Sequence, residues 1–369
     1  MDTNFSDLAS TTSNEYLLKA EAVFVSQKHK LLSDFAVYFQ SVCNSIIGLQ
    51  REGALSEISY LEFTLLYTSI VNRRYVAEVW VYGDDWYFDD SPRKIGEYDI
   101  SFLFVQYNEL WDSLLTARKR YIGKVTASEV KSYMMQVLPD FYSYFFNLVR
   151  FAIVDSVEKE PFIDIIRNNK FMINVGNYMA NPEPVFIENK NKTNIDNDSL
   201  IESDEDNFNY KDFSGLDFSD YSLALFSFCY TQFRHSCLNN ANFYLSDLIG
   251  ASFRYACVEG CRFDNSDIHE ADFSYALLKN SDFSCSNGSS GLPDTETWKH
   301  VGFFPVKFCH ADLTNADFTE AELVGADFTG ANLTGANFTD AVIIDAIFTD
   351  AIMDGAIFDG AIRDSSMLD

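Results

Sequence analysis

HADLTNADFTEAELVGADFTGANLTGANF, residues 310–338, decides the fold of the C-terminal half. Alanine returns every five residues, and two positions after each alanine stands a leucine or a phenylalanine, in strict alternation. A helix repeats every 3.6 residues and a strand every 2.0, so a period of five belongs to neither. Let i be the large apolar position. From Phe208 to Phe283 every fifth residue is apolar, sixteen in succession, and eleven more follow from Phe308 to Phe358. Position i−2 is alanine at every step from Ala311 to Ala361.

Strict internal repetition predicts a solenoid. Five residues form one side of a square coil with a turn at its corner, and four sides make a coil of twenty. Position i then points to the axis, with the small i−2 residue as a spacer beside it. Successive coils stack at strand spacing, about 4.8 Å, which pairs each backbone group with the coil above or below. Period ten on four sides puts Phe on two opposite sides and Leu, Ile, Val or Met on the other two.

ADLTN, ADFTE, ADFTG, ANLTG and ANFTD within the opening stretch match the motif A(D/N)LXX, and the chain resembles the pentapeptide-repeat family over about residues 206–365. The resemblance implies a right-handed quadrilateral β-helix, here of about seven coils. The first repeats depart from the motif at Asp206, Lys211, Leu216, Tyr221 and Phe226, which predicts a distorted capping coil. Residues 15–187 look similar to a domain that precedes such repeats in some bacterial proteins and has no assigned function.

The pattern fails at three places. Phe283 and Phe308 are 25 residues apart, and the Phe/Leu alternation shifts by one side between them. One extra side restores it; Phe303, with Val301 two before it, is the side expected. Residues 286–300 then loop out, with Asp294, Thr297, Trp298, Lys299 and His300 as a candidate interaction loop. Secondly, position i−1 is acidic or amide at Asp312, Asp317, Glu322 and Asp327, a candidate acidic face. Thirdly, i−1 becomes apolar at Val342, Ile347, Ile352, Ile357 and Ile362, a belt around the last coil and a candidate dimer surface.

Charge supports a surface role. Residues 206–369 hold 25 Asp and Glu against 8 Lys and Arg, and none of the latter lies between His310 and Ile362. The whole chain has a formal charge of −28, which argues against direct binding to nucleic acid or anionic membrane and allows basic partners or mimicry of nucleic acid. Some members of the family protect gyrase as DNA mimics, so the resemblance implies a type II topoisomerase as one candidate partner.

The N-terminal half is expected to be mainly helical, after a disordered stretch 1–14 and before an acidic linker 188–205. Residues 15–50 carry a helical apolar stripe, and Thr126 to Glu129 form a capping box. A hairpin is expected at 75–90, turning at Gly83-Asp84. Pro139 is expected to end one helix, and a last helix to run from Pro161 to about residue 179. The pairs Asp84-Asp85 and Asp89-Asp90 read as a solvated turn, and the Trp and Tyr residues around them as core.

The seven cysteines show no metal-ligand spacing; Cys237 and Cys257 should lie one coil apart, close enough for a disulfide. No nucleophile elbow, phosphate loop or metal triad is present. The N-terminus is polar and no 18-residue apolar run occurs, so a cytoplasmic chain is expected. Together these point to a non-enzymatic protein-binding scaffold without cofactor or metal, homodimeric through its C-terminal coil.

Overall fold

The computed structural model describes residues 3–89, 92–178, 182–193 and 207–364. They divide into two compact units, 1–190 with 292–301, and 191–291 with 302–369.

The first unit is helical, as expected, but carries a five-stranded sheet where only a short hairpin was expected. Helix α1 spans Thr3–Arg51, so residues 3–14 of the stretch expected to be disordered are its first three turns; residues 1 and 2 lie outside the described residues. Phe5, Ala9, Ser13 and Leu17 are buried at helical spacing, and Phe5 meets Tyr121 edge-on at 5.2 Å. The Ser- and Thr-rich composition hid this stripe. Thr11 and Thr12 donate to the carbonyls four residues back, so their hydroxyls do not break the helix.

Five strands follow: β1 Ile58–Leu65, β2 Val76–Tyr82, β3 Arg93–Asp99, β4 Arg167–Asn177 and β5 Glu183–Asn189, in the order β3-β2-β1-β4-β5. Only β1 and β4 pair in parallel. The hairpin expected to turn at Gly83-Asp84 is wider. Strand β2 returns as β3 across a short 3-10 turn, Trp86–Phe88. Asp84 and Asp85 are exposed, as a solvated turn requires, and Ser59 and Asn168 donate to the Asp84 carboxylate. Asp89 accepts from the Gly83 amide at 2.6 Å; Asp90 lies outside the described residues.

A short helix, α2 Tyr67–Val71, links β1 to β2. Two longer ones, α3 Val105–Ala117 and α4 Ala127–Ile153, complete the helical set. The capping box at Thr126 and Glu129 starts α4 as the sequence indicates. Pro139 does not end it. Leu138, Phe141 and Phe145 are fully buried around the proline, and that packing outweighs the local loss of one helix hydrogen bond, a cost of about 3 kcal/mol. The last expected helix is instead β4. Phe171, Ile173 and Val175 alternate into the core at period two.

The second unit is the coil stack. Parallel bridges join residues twenty apart, from Asn207–Ser227 to Val342–Ile362, which is four five-residue sides per coil. Each side donates in both directions. The Phe233 amide binds Ser252 O at 2.7 Å, and the Gln232 amide binds Lys211 O at 2.9 Å. The alternation works as the sequence indicates: Phe253 stacks on Phe273 at 4.7 Å on one side, and Phe263 on Phe283 at 4.7 Å on the opposite one. The two columns meet edge-on, as Phe263 and Phe273 do at 5.3 Å and 80°. The first coil is regular rather than distorted, with Asn207, Asp212, Asp217 and Ser222 all bridged to the second. Its oversized spacers Tyr221 and Phe226 pack on the core.

The side that restores the alternation is not Phe303 but Asn287-Gly288, immediately after Phe283. Asn287 bridges Asp267 below and Glu322 above. Glycine at an axial position carries no apolar signature. Its space is filled by Val306, which stands where the spacers of the following sides are alanine: a Cβ at Gly288 would lie 2.7 Å from Val306 Cγ1. Phe303 lies outside the axis, stacked on His269 at 4.1 Å. Gly291 and Phe303 exchange two 2.9 Å backbone hydrogen bonds. The excursion is therefore 292–301, not 286–300.

Candidate functional site

Most corners of the stack turn the same way. The amide at i+3 binds the carbonyl at i, as Ser236 does Phe233, and residue i+2 takes a left-handed conformation. Gly, Asn and Asp occupy such positions at little cost. His235, Tyr255, Tyr275 and His310 do not, yet all have φ between 55° and 62°. They lie on one corner in four successive coils and stack at 5.1, 5.0 and 5.0 Å. Tyr255 remains 39% exposed and Tyr275 43%.

Tyr230, Leu245, Glu270 and Glu320 adopt the same φ at other corners, so the stacked rings, not the backbone, set this corner apart. Arg254 is buried beside the rings, 5.6 Å from Tyr255 and 5.9 Å from Tyr275, and binds Asp272 at 3.0 Å. Burial alone would raise the Asp272 carboxyl, but Lys307 and Arg254 together hold it below the usual range. This aromatic corner escaped the reading at period five. Its signal lies at period twenty, except that His310 follows Tyr275 by 35 residues because the excursion lies between them.

The sequence-derived candidates fall elsewhere. Trp298 is no free anchor. Residues 292–301 belong to the first unit, where the Trp298 indole donates to Tyr144 Oη at 2.9 Å and its amide to Asn14 Oδ1 at 2.8 Å. Asn14 returns a bond to Glu296 O at 2.8 Å. Asp294 caps the turn by accepting from the Glu296 and Thr297 amides, and these donors lower its carboxyl. Thr297 and Lys299 are exposed, and His300 Nδ1 contacts Val301 O at 2.8 Å.

Asp312, Asp317, Glu322 and Asp327 form no face. Successive pentads occupy successive sides, so these four ring the stack, one per side. Their bridge partners on the next coil are Asn332, Asn337, Val342 and Ile347. Asp312, Asp317 and Asp327 are also committed locally, each accepting from a threonine hydroxyl two residues on at 2.5–2.6 Å.

The belt residues lie one to a side. Ile347, Ile352, Ile357 and Ile362 are 44%, 52%, 45% and 56% exposed. Val342 sits one coil below, bridged to Ile362.

One further group lies on the sheet face opposite Leu61, Phe63 and Leu65. Glu62 is 1% exposed. It accepts from the Trp86 indole at 2.6 Å, the Tyr87 hydroxyl at 3.0 Å and Asn174 Nδ2 at 3.2 Å. Burial raises its carboxyl above the ordinary value of 4.5, although all three donors pull it down. The folded chain therefore holds this proton to higher pH than the unfolded one. No cost exists below the unfolded value; it grows as pH rises above that and is complete once pH passes the folded value. Glu62→Gln keeps both acceptor bonds to Oε1 and donates to Tyr87. It is expected to raise the melting temperature at pH 7, with the gain vanishing below about pH 4. A gain that stays constant from pH 4 to pH 8 would contradict this origin.

Among the described residues no helix is long and apolar enough to cross a membrane. The family description "Pentapeptide repeats" matches eight copies, at residues 227–265, 246–284, 306–335 and 321–360. No curated protein matches the chain. Similar solved structures include HetL, a pentapeptide repeat protein involved in heterocyst differentiation regulation from the cyanobacterium Nostoc sp. strain PCC 7120. It is 19% identical over 44% of this chain and 89% of that one, with TM-score 0.21. QnrB1, a plasmid-mediated fluoroquinolone resistance protein, is 19% identical over 47% and 89%, TM-score 0.29. Rfr23 from the cyanobacterium Cyanothece 51142 is 18% identical over 43% and 88%, TM-score 0.16. Over residues 227–284 and 306–360 the four-sided coil stack is therefore built of pentapeptide repeats.

Proposed function

We propose that this chain is a non-enzymatic protein-binding scaffold whose coil stack offers a rigid surface, with the first unit recruiting a further protein. The aromatic corner supports the reading most directly. Tyr is among the residues that dominate binding energy when buried at an interface, and these rings are half exposed on a backbone that resists rearrangement. Tyr255→Gly with Tyr275→Gly separates binding from folding, because glycine suits a left-handed corner better than tyrosine. The expected result is unchanged circular dichroism with at least about tenfold weaker capture of the partner bound by the wild-type chain. Undiminished capture would remove the corner from the reading.

The same reading includes a homodimer through the terminal coil. Ile347, Ile352, Ile357 and Ile362 give each side one exposed apolar group, and a second copy brings the same ring. Ile352→Asp is expected to convert a dimer to a monomer by light scattering; a wild-type monomer at high concentration would end the proposal.

A second reading, a DNA-mimicking modulator of a type II topoisomerase, draws on the absence of Lys and Arg between His310 and Ile362. The ringed arrangement of Asp312, Asp317, Glu322 and Asp327 counts against it, since no side carries a continuous row of these acids. Unchanged supercoiling by purified gyrase at excess protein, with and without a quinolone, would dismiss it.

A further inference from the structure

We propose that Cys237 and Cys257 are a reversible thiol pair that closes into a disulfide across two neighbouring coils when exposed to a small-molecule disulfide such as glutathione disulfide. The two residues bridge one another on the same side of consecutive coils. The Leu238 amide binds Cys257 O at 2.7 Å and the Cys257 amide binds Ser236 O at 2.9 Å, which pins the two Cα atoms opposite each other. Strand spacing sets that separation at about 4.8 Å, inside the range of about 4.4–6.8 Å that disulfides span. Both side chains leave the same face in parallel, and Cys237 is exposed. The thiols already interact: after burial, the Cys237 sulfur is the next influence raising the Cys257 thiol.

The chemistry needs no other group. The Cys237 thiolate attacks one sulfur of glutathione disulfide; the new bond forms as the old one breaks and one glutathione thiolate leaves. The Cys257 thiolate then attacks the Cys237 sulfur and releases the second glutathione. Two cysteine thiols are oxidised by two electrons, one glutathione disulfide is reduced to two glutathiones, and these take up the two protons.

In-register stacking leaves the two Cβ atoms close to the coil spacing, somewhat beyond the usual range of about 3.5–4.5 Å. The closed bond is therefore strained and exposed, which makes it easily reduced and suits a regulatory rather than a permanent link. Closure ties one whole coil into a ring. The remaining thiols are poorer candidates. Cys43 and Cys261 are buried and pushed up to about 12. The exposed Cys285 contacts Glu320, with no cysteine as its bridge or stacking neighbour.

The test incubates the full chain with glutathione disulfide, alkylates the remaining thiols with N-ethylmaleimide and maps the peptides. The expected product has lost two hydrogens and two alkylation sites together, with one linked peptide carrying Cys237 and Cys257. Excess reduced glutathione should restore both sites. Cys257→Ser should trap glutathione on Cys237. A glutathione adduct that persists on Cys237 in the wild-type chain while Cys257 is still alkylated would overturn the pair, as would linkage to any other cysteine. Resistance of the closed form to excess reduced glutathione would overturn its reversibility.

Discussion

Phe263→Ala is expected to destabilise the coil stack by about 3–5 kcal/mol, the usual cost of deleting a fully buried phenylalanine. Phe263 is inaccessible to solvent. Its faces meet Phe243 at 5.1 Å and Phe283 at 4.7 Å, and its edges meet Phe253 at 5.6 Å and Phe273 at 5.3 Å. Alanine there removes a ring touched by four others. Each coil contacts only its neighbours and cannot collapse into the void without breaking the ladder above or below. The readout is built into the composition. All four tryptophans belong to the first unit, so their fluorescence follows that unit while far-UV circular dichroism includes the stack. A urea titration should shift the dichroism transition. A shift below about 1 kcal/mol would mean that the phenylalanine column is not the main support of the stack.

Gly288→Leu is expected to cost at least about 1–3 kcal/mol by overpacking, although it restores the residue type that the repeat favours. The new Cβ would lie 2.7 Å from Val306 Cγ1 and 3.1 Å from Ile268 Cγ1. Val306 is itself fully buried, and Val306→Ala alone should cost roughly 2 kcal/mol through the cavity it leaves. The two substitutions together return this layer to a large axial residue with an alanine spacer. The double variant should therefore be more stable than the sum of the singles, with an interaction of about 0.5–3 kcal/mol. Additive losses in denaturant titrations would show that Val306 does not occupy the glycine's place.

The repeat was legible because it is written at every position: one apolar residue in five sets the axis, and alanine beside it sets the distance to the next side. The same logic misplaced the excursion. At Gly288 the axial residue is absent and its volume comes from Val306, eighteen residues on, a substitution that period five cannot show. The aromatic corner was hidden for a related reason. His235, Tyr255 and Tyr275 are neighbours only once twenty residues close a coil. In the first unit, local signals worked where the cause is local, as at the Thr126–Glu129 box. They failed where packing decides: α1 continues back to Thr3 because Phe5 finds Tyr121, and α4 runs through Pro139 under a layer of buried aromatics.

Read alone, the amino-acid sequence determined the four-sided coil, its Phe and Leu sides and the isoleucine ring around its end, because each follows from spacing along the chain. Only the tertiary structure decided what those surfaces present. It set four acids on four different sides, gathered His235, Tyr255, Tyr275 and His310 into one corner, placed Trp298 against Tyr144 in the first unit, and put the Cys237 and Cys257 thiols on one face. The physical reason is one of distance: a period constrains neighbours in sequence, whereas coil closure and packing choose neighbours in space.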